Sequence, residues 1–207
     1  MLIDTFMDPE YADVVLVAVG PLTNVALAIS CEPGLARRIQ KLVIMGGARV
    51  GGNVTPTAEF NFWVDPEAAR TVFSSEIREI VVMPLDATHS APLTLLDCDV
   101  FDTLATPAAL ASSKFLRHRI KVYHHADAVP SAPVHDALCI AYLVRPDVIT
   151  RWGKHPVSIE TSGEQTLGQM VVDSRPWSRN RVNAAIALEA SADIFRSVMI
   201  DAFKVPH

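Results

Sequence analysis

A polar stretch of the sequence, residues 45–69, holds the side chains best suited to bind a hydroxylated ligand: Asn53, Glu59 and Asn61. A carboxylate accepts hydrogen bonds from hydroxyl groups, and an amide both donates and accepts them. If residues 58–62 are extended, Glu59 and Asn61 point to the same side of the chain. The same residue types also form hydrogen bonds within loops, so ligand binding and loop-internal bonding both stay open.

Two side chains that could move a proton or bind a metal, His135 and Asp136, begin a second segment of interest. Histidine ionises near neutral pH and can serve as a proton donor. A carboxylate at this position could bind a metal or cap a helix, and capping is the more common role. A histidine at the surface or packed in the core is the alternative for His135.

A third polar segment, residues 84–94, follows an apolar run and contains Asp86, Thr88 and His89. Thr88 and His89 could face a ligand. They could equally fix a turn through local side-chain hydrogen bonds.

Short apolar runs at residues 14–20, 42–48 and 80–85 predict the strands that position these segments. Each is continuously apolar, as is typical of strands buried on both faces. A helix with Thr23 or Asn24 as its cap is predicted after the first run, and Asp65-Pro66 predicts another helix start. Strands alternating with helices favour an open, mostly parallel α/β sheet flanked by helices. Ligands bind such sheets at the carboxyl ends of the strands, where the polar segments lie.

The second half of the chain is predicted to be richer in helix. Helices are expected at residues 107–127, 135–144 and 192–203. Strands are expected at 157–161 and 169–173, as an edge or hairpin, and at 181–188. No repeat or linker interrupts the chain, so residues 1–207 are predicted to form a single domain.

Composition narrows the classes of partner. The chain has a formal net charge of −5, 50% hydrophobic residues and no block of like charges. These features argue against nucleic acid or an anionic membrane as the main partner. Cys31, Cys98 and Cys139 form no CxxC pair, which favours a reducing compartment. Neither a spanning apolar run nor a basic leader is present, so we expect a cytoplasmic protein.

Taken together, the segments resemble the inosine–uridine-preferring nucleoside hydrolase family. The matching pieces are VAVGPLTNVALA, LVIMGGA, GNVTPTAEFNFWVDPEAA, PLDATH and VHDALCIAYLV, in the family's order and close to its spacing. The resemblance implies an open α/β fold and hydrolysis of ribonucleosides to ribose and free base, as in nucleoside salvage. It leaves assembly into a homo-oligomer open.

The resemblance also implies residue roles. Asp136, through its carboxylate, and Val19, through its backbone carbonyl, match calcium ligands, and calcium prefers oxygen ligands of mixed type. Asn53, Glu59 and Asn61 match ribose-binding positions, and Met45 matches a residue packed near the sugar. His135 matches the residue that protonates the departing base.

The chain departs from the family pattern at its beginning, where members carry an aspartate-rich DxDxGxDD-like motif. Asp4, Asp8 and Asp13 do not have that spacing. We therefore expect a domain that is incomplete at its N-terminus and lacks the first strands of the sheet, so that residues 14–20 form a bare edge. An inactive remnant that retains weak nucleoside or ribose binding is the alternative function.

Two further interpretations concern ligands. Tyr123, His124 and His125 could contact a nucleobase or could lie at an exposed helix end. An enzyme acting on a phosphorylated ligand is disfavoured, because neither GxxxxGK[ST] nor GxGxxG occurs.

Overall fold

The computed structural model describes residues 1–123 and 129–204. The helices are α1 (Leu2–Met7), α2 (Thr23–Cys31), α3 (Leu35–Arg38), α4 (Phe60–Val64), α5 (Pro66–Phe73), α6 (Leu85–Ser90), α7 (Leu95–Leu104), α8 (Pro107–Tyr123), α9 (His135–Val144) and α10 (Ala192–Lys204). The strands are β1 (Leu16–Ala18), β2 (Leu42–Met45), β3 (Ile80–Met83), β4 (Leu93–Thr94), β5 (Ser131–Ala132), β6 (Ile149–His155), β7 (Val157–Ile159), β8 (Met170–Val172) and β9 (Ala184–Ala190).

A five-stranded sheet forms the centre of the fold within the described residues, in the order β1-β2-β3-β9-β6. The pairs β1–β2, β2–β3 and β3–β9 are all parallel. The predicted open, mostly parallel α/β sheet is therefore confirmed. Parallel strands place their carboxyl ends along one edge, so the segments that follow β1, β2 and β3 leave the sheet on the same side.

The chain divides into two compact units. The first comprises Met1–Asp86 and Arg151–Leu188, and the second comprises Ala87–Thr150 and Glu189–His207. That residues 1–207 form one domain stays a prediction.

The core of the first unit lies on both faces of β2 and β3, whose residues are all buried. Phe62 packs edge-on against Phe73, with ring centroids 5.6 Å apart. β1 differs from its neighbours, because its three apolar residues are only half-buried and it lies at the end of the sheet. The apolar sheet edge predicted at residues 14–20 is therefore present, as the half-buried strand β1.

The core of the second unit is helical. Phe101 of α7 meets Phe203 of α10 edge-on, with ring centroids 4.9 Å apart. Asp97 is buried, accepts hydrogen bonds from the backbone and hydroxyl of Thr94, and pairs with Arg196 of α10. The pairing compensates the buried carboxylate and ties α7 to α10.

Most predicted elements are confirmed, including the Asp65-Pro66 helix start, where the Asp65 side chain accepts from the Ala68 backbone. β7 and β8 form the expected antiparallel hairpin. The α2 cap was predicted wrongly: Thr23 is the first helical residue, and Leu22 precedes it without a side-chain cap.

The structure has helix at two places where the sequence reasoning considered extended chain or a turn. Residues 58–62 are not extended, because Glu59 caps α4 and Asn61 lies within that helix. The turn expected after β3 is helix α6. The predicted helix at 107–127 is described to Tyr123, and its remainder lies outside the described residues, as do His124, His125 and the Tyr123 side chain.

Along the described residues, no helix has the length and apolar character needed to cross a bilayer.

Candidate functional site

The turn after β2 is shaped by the buried ring of Phe62. A Cβ at Gly46 would lie 2.5 Å from Phe62 Cε1, and one at Gly47 would lie 2.7 Å from Phe62 Cε2. Gly47 also has a φ of +73°, a backbone conformation that residues with a Cβ atom rarely adopt. The two glycines therefore let the chain turn sharply over the ring at the carboxyl end of the sheet.

Glu59 fixes this turn to the start of α4. Its side chain is buried, with 2% of its surface exposed. One carboxylate oxygen accepts from the Gly47 backbone N–H at 2.8 Å, and the other accepts from the Asn61 backbone N–H at 3.0 Å. Bonds from a charged acceptor to backbone donors are among the stronger ones in proteins. The carboxylate thus supports the structure of the loop.

Asn61 connects α4 to the end of β2. Its Nδ2 donates to the Met45 carbonyl at 3.0 Å and lies 3.5 Å from the Met45 Sδ. Among the described residues, none donates to Asn61 Oδ1, and no buried side-chain polar atom lacks a partner. The Oδ1 atom is therefore reached by solvent and can accept a hydrogen bond from a ligand.

Asn53 lies on a tight loop that closes on itself. Its Oδ1 accepts from the Phe60 backbone N–H at 3.0 Å, and its own backbone N–H donates to the Ala58 carbonyl at 3.1 Å. A Cβ at Gly52 would lie only 2.2 Å from that carbonyl. Within the described residues the Asn53 Nδ2 has no acceptor, and the side chain is exposed. The loop therefore presents a free amide donor from a segment held by its own hydrogen bonds.

The ends of β2 and β3 are tied together by three further hydrogen bonds. Gly46 N–H donates to the Met83 carbonyl at 3.3 Å, and Leu85 N–H donates to the Gly47 carbonyl at 3.0 Å. Asp86 accepts from the Arg49 backbone N–H at 2.7 Å. Val19, which follows β1, is 43% exposed.

In the second unit, His135 is held by Thr88. The Thr88 Oγ1 lies 2.7 Å from His135 Nδ1, and the His89 ring centroid lies 5.5 Å from that of His135. Burial, then the charges of Arg119 and His89, lowers the pKa of His135 to about 4. The imidazole is therefore uncharged near neutral pH, with one N–H to donate.

Asp136 follows His135 in the first turn of α9. The helix begins after Val134 with no side-chain cap, so the capping role considered for Asp136 is not seen. Burial raises the pKa of the Asp136 carboxyl, and the Arg119 charge opposes this. No described residue donates a hydrogen bond to that carboxylate. An acidic group without a donor is suited to a cation.

The structure thus brings four predicted residues of the first unit together through hydrogen bonds of α4 and its loop: Met45, Asn53, Glu59 and Asn61. His135 and Asp136 are neighbours in the second unit. Over the described part of the chain, no group of three or more His, Cys, Asp or Glu side chains could hold a metal ion. Calcium takes about six to eight oxygen ligands, so the acidic side chains of the described residues do not by themselves form a calcium site.

Comparison with known proteins places this arrangement in a family. The profile of the "Inosine-uridine preferring nucleoside hydrolase" family matches residues 1–197. The chain belongs to this nucleoside hydrolase family. The relatives it resembles include the pyrimidine-specific ribonucleoside hydrolase RihA of Enterobacter sp. strain 638, which is 40% identical over 193 residues. The protein of the same name from Escherichia coli O17:K52:H18 is 38% identical over 196 residues.

Solved nucleoside hydrolase structures share the fold. The purine-preferring ribonucleoside hydrolase from Gardnerella vaginalis matches with a TM-score of 0.85 and 26% identity, over 98% of this chain and 65% of that one. The inosine–uridine preferring nucleoside hydrolase from Bacillus anthracis matches with a TM-score of 0.77 and 26% identity, over 98% and 64%. The two RihA matches cover 91% and 92% of this chain but 58% and 61% of the relatives. The chain thus spans about three fifths of the length of these relatives.

Two residues that bear on the candidate site were missed by sequence reasoning. Arg119 donates to the Pro133 carbonyl at 3.0 Å and shifts the pKa of both His135 and Asp136. Phe62 sets the space over Gly46 and Gly47. Adjacent glycines directly after a buried strand were a usable signal for the second, whereas nothing in the spacing of Arg119 marks it.

Proposed function

We propose that this protein hydrolyses the N-glycosidic bond of ribonucleosides, releasing ribose and the free base, and that it requires calcium. Membership of the nucleoside hydrolase family supports the reaction class. The observation that carries the proposal for this chain is the hydrogen-bonded loop at the end of β2. It leaves Asn61 Oδ1 free to accept and Asn53 Nδ2 free to donate.

These two groups match the needs of a sugar diol. A ribose hydroxyl can donate to Asn61 Oδ1, and another can accept from Asn53 Nδ2. Each oxygen of Glu59 already accepts one backbone hydrogen bond but can accept a second, so the carboxylate can also bind a hydroxyl. Met45, buried at the end of β2, is proposed to pack near the sugar. Contacts of this kind align the substrate for the reaction.

His135 is proposed to assist departure of the base. Cleavage of the bond leaves an oxocarbenium-like ribosyl group, and the leaving base becomes a better leaving group when it receives a proton. Near neutral pH the ring is uncharged, because burial lowers the pKa of His135 to about 4, so the N–H of the ring acts as a hydrogen-bond donor and only the imidazolium could transfer a proton outright. If Nδ1 accepts the Thr88 hydroxyl, that N–H lies on Nε2, where it can stabilise the negative charge that develops on the departing base. Thr88 therefore fixes both the orientation of the ring and the nitrogen that donates.

Asp136 and the Val19 carbonyl are the calcium ligands that this chain is proposed to contribute. The carboxylate of Asp136 accepts no hydrogen bond from the described residues, which supports the assignment. Further oxygen ligands than these two are needed to bind calcium tightly, because affinity depends on the number and charge of the ligands.

The preferred substrates are proposed to be pyrimidine nucleosides. The relatives at 38–40% identity are named pyrimidine-specific. The purine-preferring structural neighbour is more distant, at 26% identity. Uridine and cytidine should therefore be cleaved faster than inosine.

The test is a ribose-release assay with uridine, cytidine and inosine, with calcium or with a chelator. It should be run on the 207-residue chain and on a protein that includes any in-frame sequence preceding Met1 in the gene.

In whichever form is active, Asp136→Ala should impair every substrate. His135→Ala should slow uridine by about 10²-fold or more but barely affect a nitrophenyl riboside, whose leaving group needs no proton. Equal losses on both substrates would rule out the proposed role of His135.

A second function is favoured by one observation, the lack of a metal-holding group among the described residues. The chain would then be an inactive remnant that binds nucleoside or ribose weakly. Uridine binding without ribose release in any form of the protein would support this alternative, whereas calcium-dependent turnover would exclude it.

A further inference from the structure

A cavity of about 420 Å³ lies at the edge of the sheet opposite to the candidate site, within the first unit. It borders the residues that begin β3 and β9, whereas the candidate ribose-binding loop follows the end of β2. Its volume is in the range of small-molecule sites. The polar and charged lining residues are Arg70, Ser74, Ser75, Arg78, Glu79, Lys154, Ser158, Arg181 and Asn183.

The charge of this cavity is opposite to that of the chain. Four cationic side chains line it, and Glu79 is the one acidic residue among the lining residues. Glu79 is paired with Lys41, at 3.3 Å, so it does not neutralise the cavity. The whole chain has a net charge of −5, and a local cluster of four cations is therefore unexpected from composition. Such a cluster raises the local concentration of anions.

Within the described residues, none of the four cations has an anionic partner. Arg70 donates to the Thr161 hydroxyl at 2.7 Å, and Arg78 donates to the Gln40 side-chain oxygen at 3.0 Å, both of which are neutral groups. Lys154 and Arg181 make no hydrogen bond or ion pair with the described residues. Elsewhere in the unit, exposed cations such as Arg37 and Arg175 pair with carboxylates.

The walls of the cavity are held in place by Asn183. Its Oδ1 accepts from the Val157 N–H at 2.7 Å, and its Nδ2 donates to the carbonyls of Phe73 and Val157, each at 2.9 Å. One side chain thereby joins the end of α5, the start of β7 and the start of β9. A site formed before the ligand arrives loses less conformational entropy on binding.

We propose that this cavity binds a small organic phosphate. Guanidinium groups match the geometry of phosphate oxygens and can bind two of them at once. The exposed hydroxyls of Ser74 and Ser158, which make no hydrogen bond within the described residues, can donate to further oxygens. Apolar lining from Phe73, Ile77 and Val157 gives the organic part of the ligand a surface to cover. The volume of about 420 Å³ fits one small molecule.

The test is calorimetric titration of the 207-residue chain with ribose 5-phosphate, uridine 5′-monophosphate and inorganic phosphate. Both esters should bind saturably, and inorganic phosphate more weakly, because it cannot cover the apolar lining. The double variant Lys154→Gln/Arg181→Gln should weaken binding of the esters at least about tenfold.

The matched control is Arg179→Gln. Arg179 is exposed, lies two residues from Arg181 and does not line the cavity, so this variant removes one positive charge from the same segment without changing the lining. It is compared with the single variant Arg181→Gln, which removes one charge from the lining. Arg179→Gln should change the affinity by less than about twofold. Absence of saturable binding up to about 10 mM ester would overturn the proposal, and so would equal weakening by Arg179→Gln. Equal affinity for inorganic phosphate and the esters would overturn the assignment of an organic ligand.

Discussion

Glu59 joins two parts of the first unit through one carboxylate, because its two oxygens accept backbone N–H groups from different segments. Glu59→Gln keeps the size of the side chain but replaces one acceptor by an NH₂ group that cannot accept. One buried N–H then loses its partner. We expect the free energy of unfolding to fall by about 1–3 kcal/mol, as measured by urea denaturation.

Glu164→Gln serves as the control for this change. Glu164 is exposed and has no hydrogen bond within the described residues, so the same substitution there should alter stability by less than about 0.5 kcal/mol. Equal effects of the two variants would show that Glu59 contributes nothing specific to the loop.

At the scale of elements, the turn after β2 depends on two separate properties of Gly47. Its φ of +73° disfavours any side chain, and a Cβ would lie 2.7 Å from Phe62 Cε2 and 2.9 Å from Met170 Sδ. Gly47→Ala should therefore lower the free energy of unfolding by about 2–4 kcal/mol, from backbone strain plus overpacking. Thermal and urea denaturation would measure this loss.

Gly51 separates the two causes, because its φ is +71° but nothing lies within 4 Å of a Cβ there. Gly51→Ala should show the backbone strain alone, about 1 kcal/mol. If Gly51→Ala destabilised as much as Gly47→Ala, contact with Phe62 would not be what requires glycine after β2.

The buried strands were predictable from sequence because their apolar runs are continuous and end in glycine or proline. The Asp65-Pro66 helix start was predictable because both residues act locally, through a cap and a fixed φ. The extended conformation considered for residues 58–62 is not found, because Glu59 caps α4 and also bonds to Gly47, twelve residues earlier in the chain. A contact between distant segments decided the local structure there, and no window of sequence contains it.

The candidate site was predictable to a similar degree. Residue types identified Asn53, Glu59 and Asn61, and the structure joins them with Met45 through α4 and its loop. The 2.7 Å contact of Thr88 with His135 spans 47 residues, so the sequence could offer Thr88 only as a candidate. The roles of these residues in binding and catalysis stay predictions, as does the cytoplasmic location.

At the scale of the whole molecule, the number of metal ligands bears on the proposed calcium-dependent reaction. The described residues hold no group of three or more potential metal-binding side chains. We therefore expect the isolated 207-residue chain to have little or no hydrolase activity. Calcium at about 1 mM should raise its melting temperature by less than about 1 °C, because a ligand stabilises only in proportion to its affinity.

Magnesium at the same concentration and a chelator are the controls for this melting experiment, since a nonspecific salt effect would be shared by both ions. Asp136→Asn isolates the proposed ligand, because it removes the carboxylate charge and keeps the size of the side chain. A calcium-specific rise of several degrees that Asp136→Asn abolishes would contradict the expectation of weak binding. It would mean that oxygen atoms other than acidic side chains, such as backbone carbonyls, complete the calcium site in this chain.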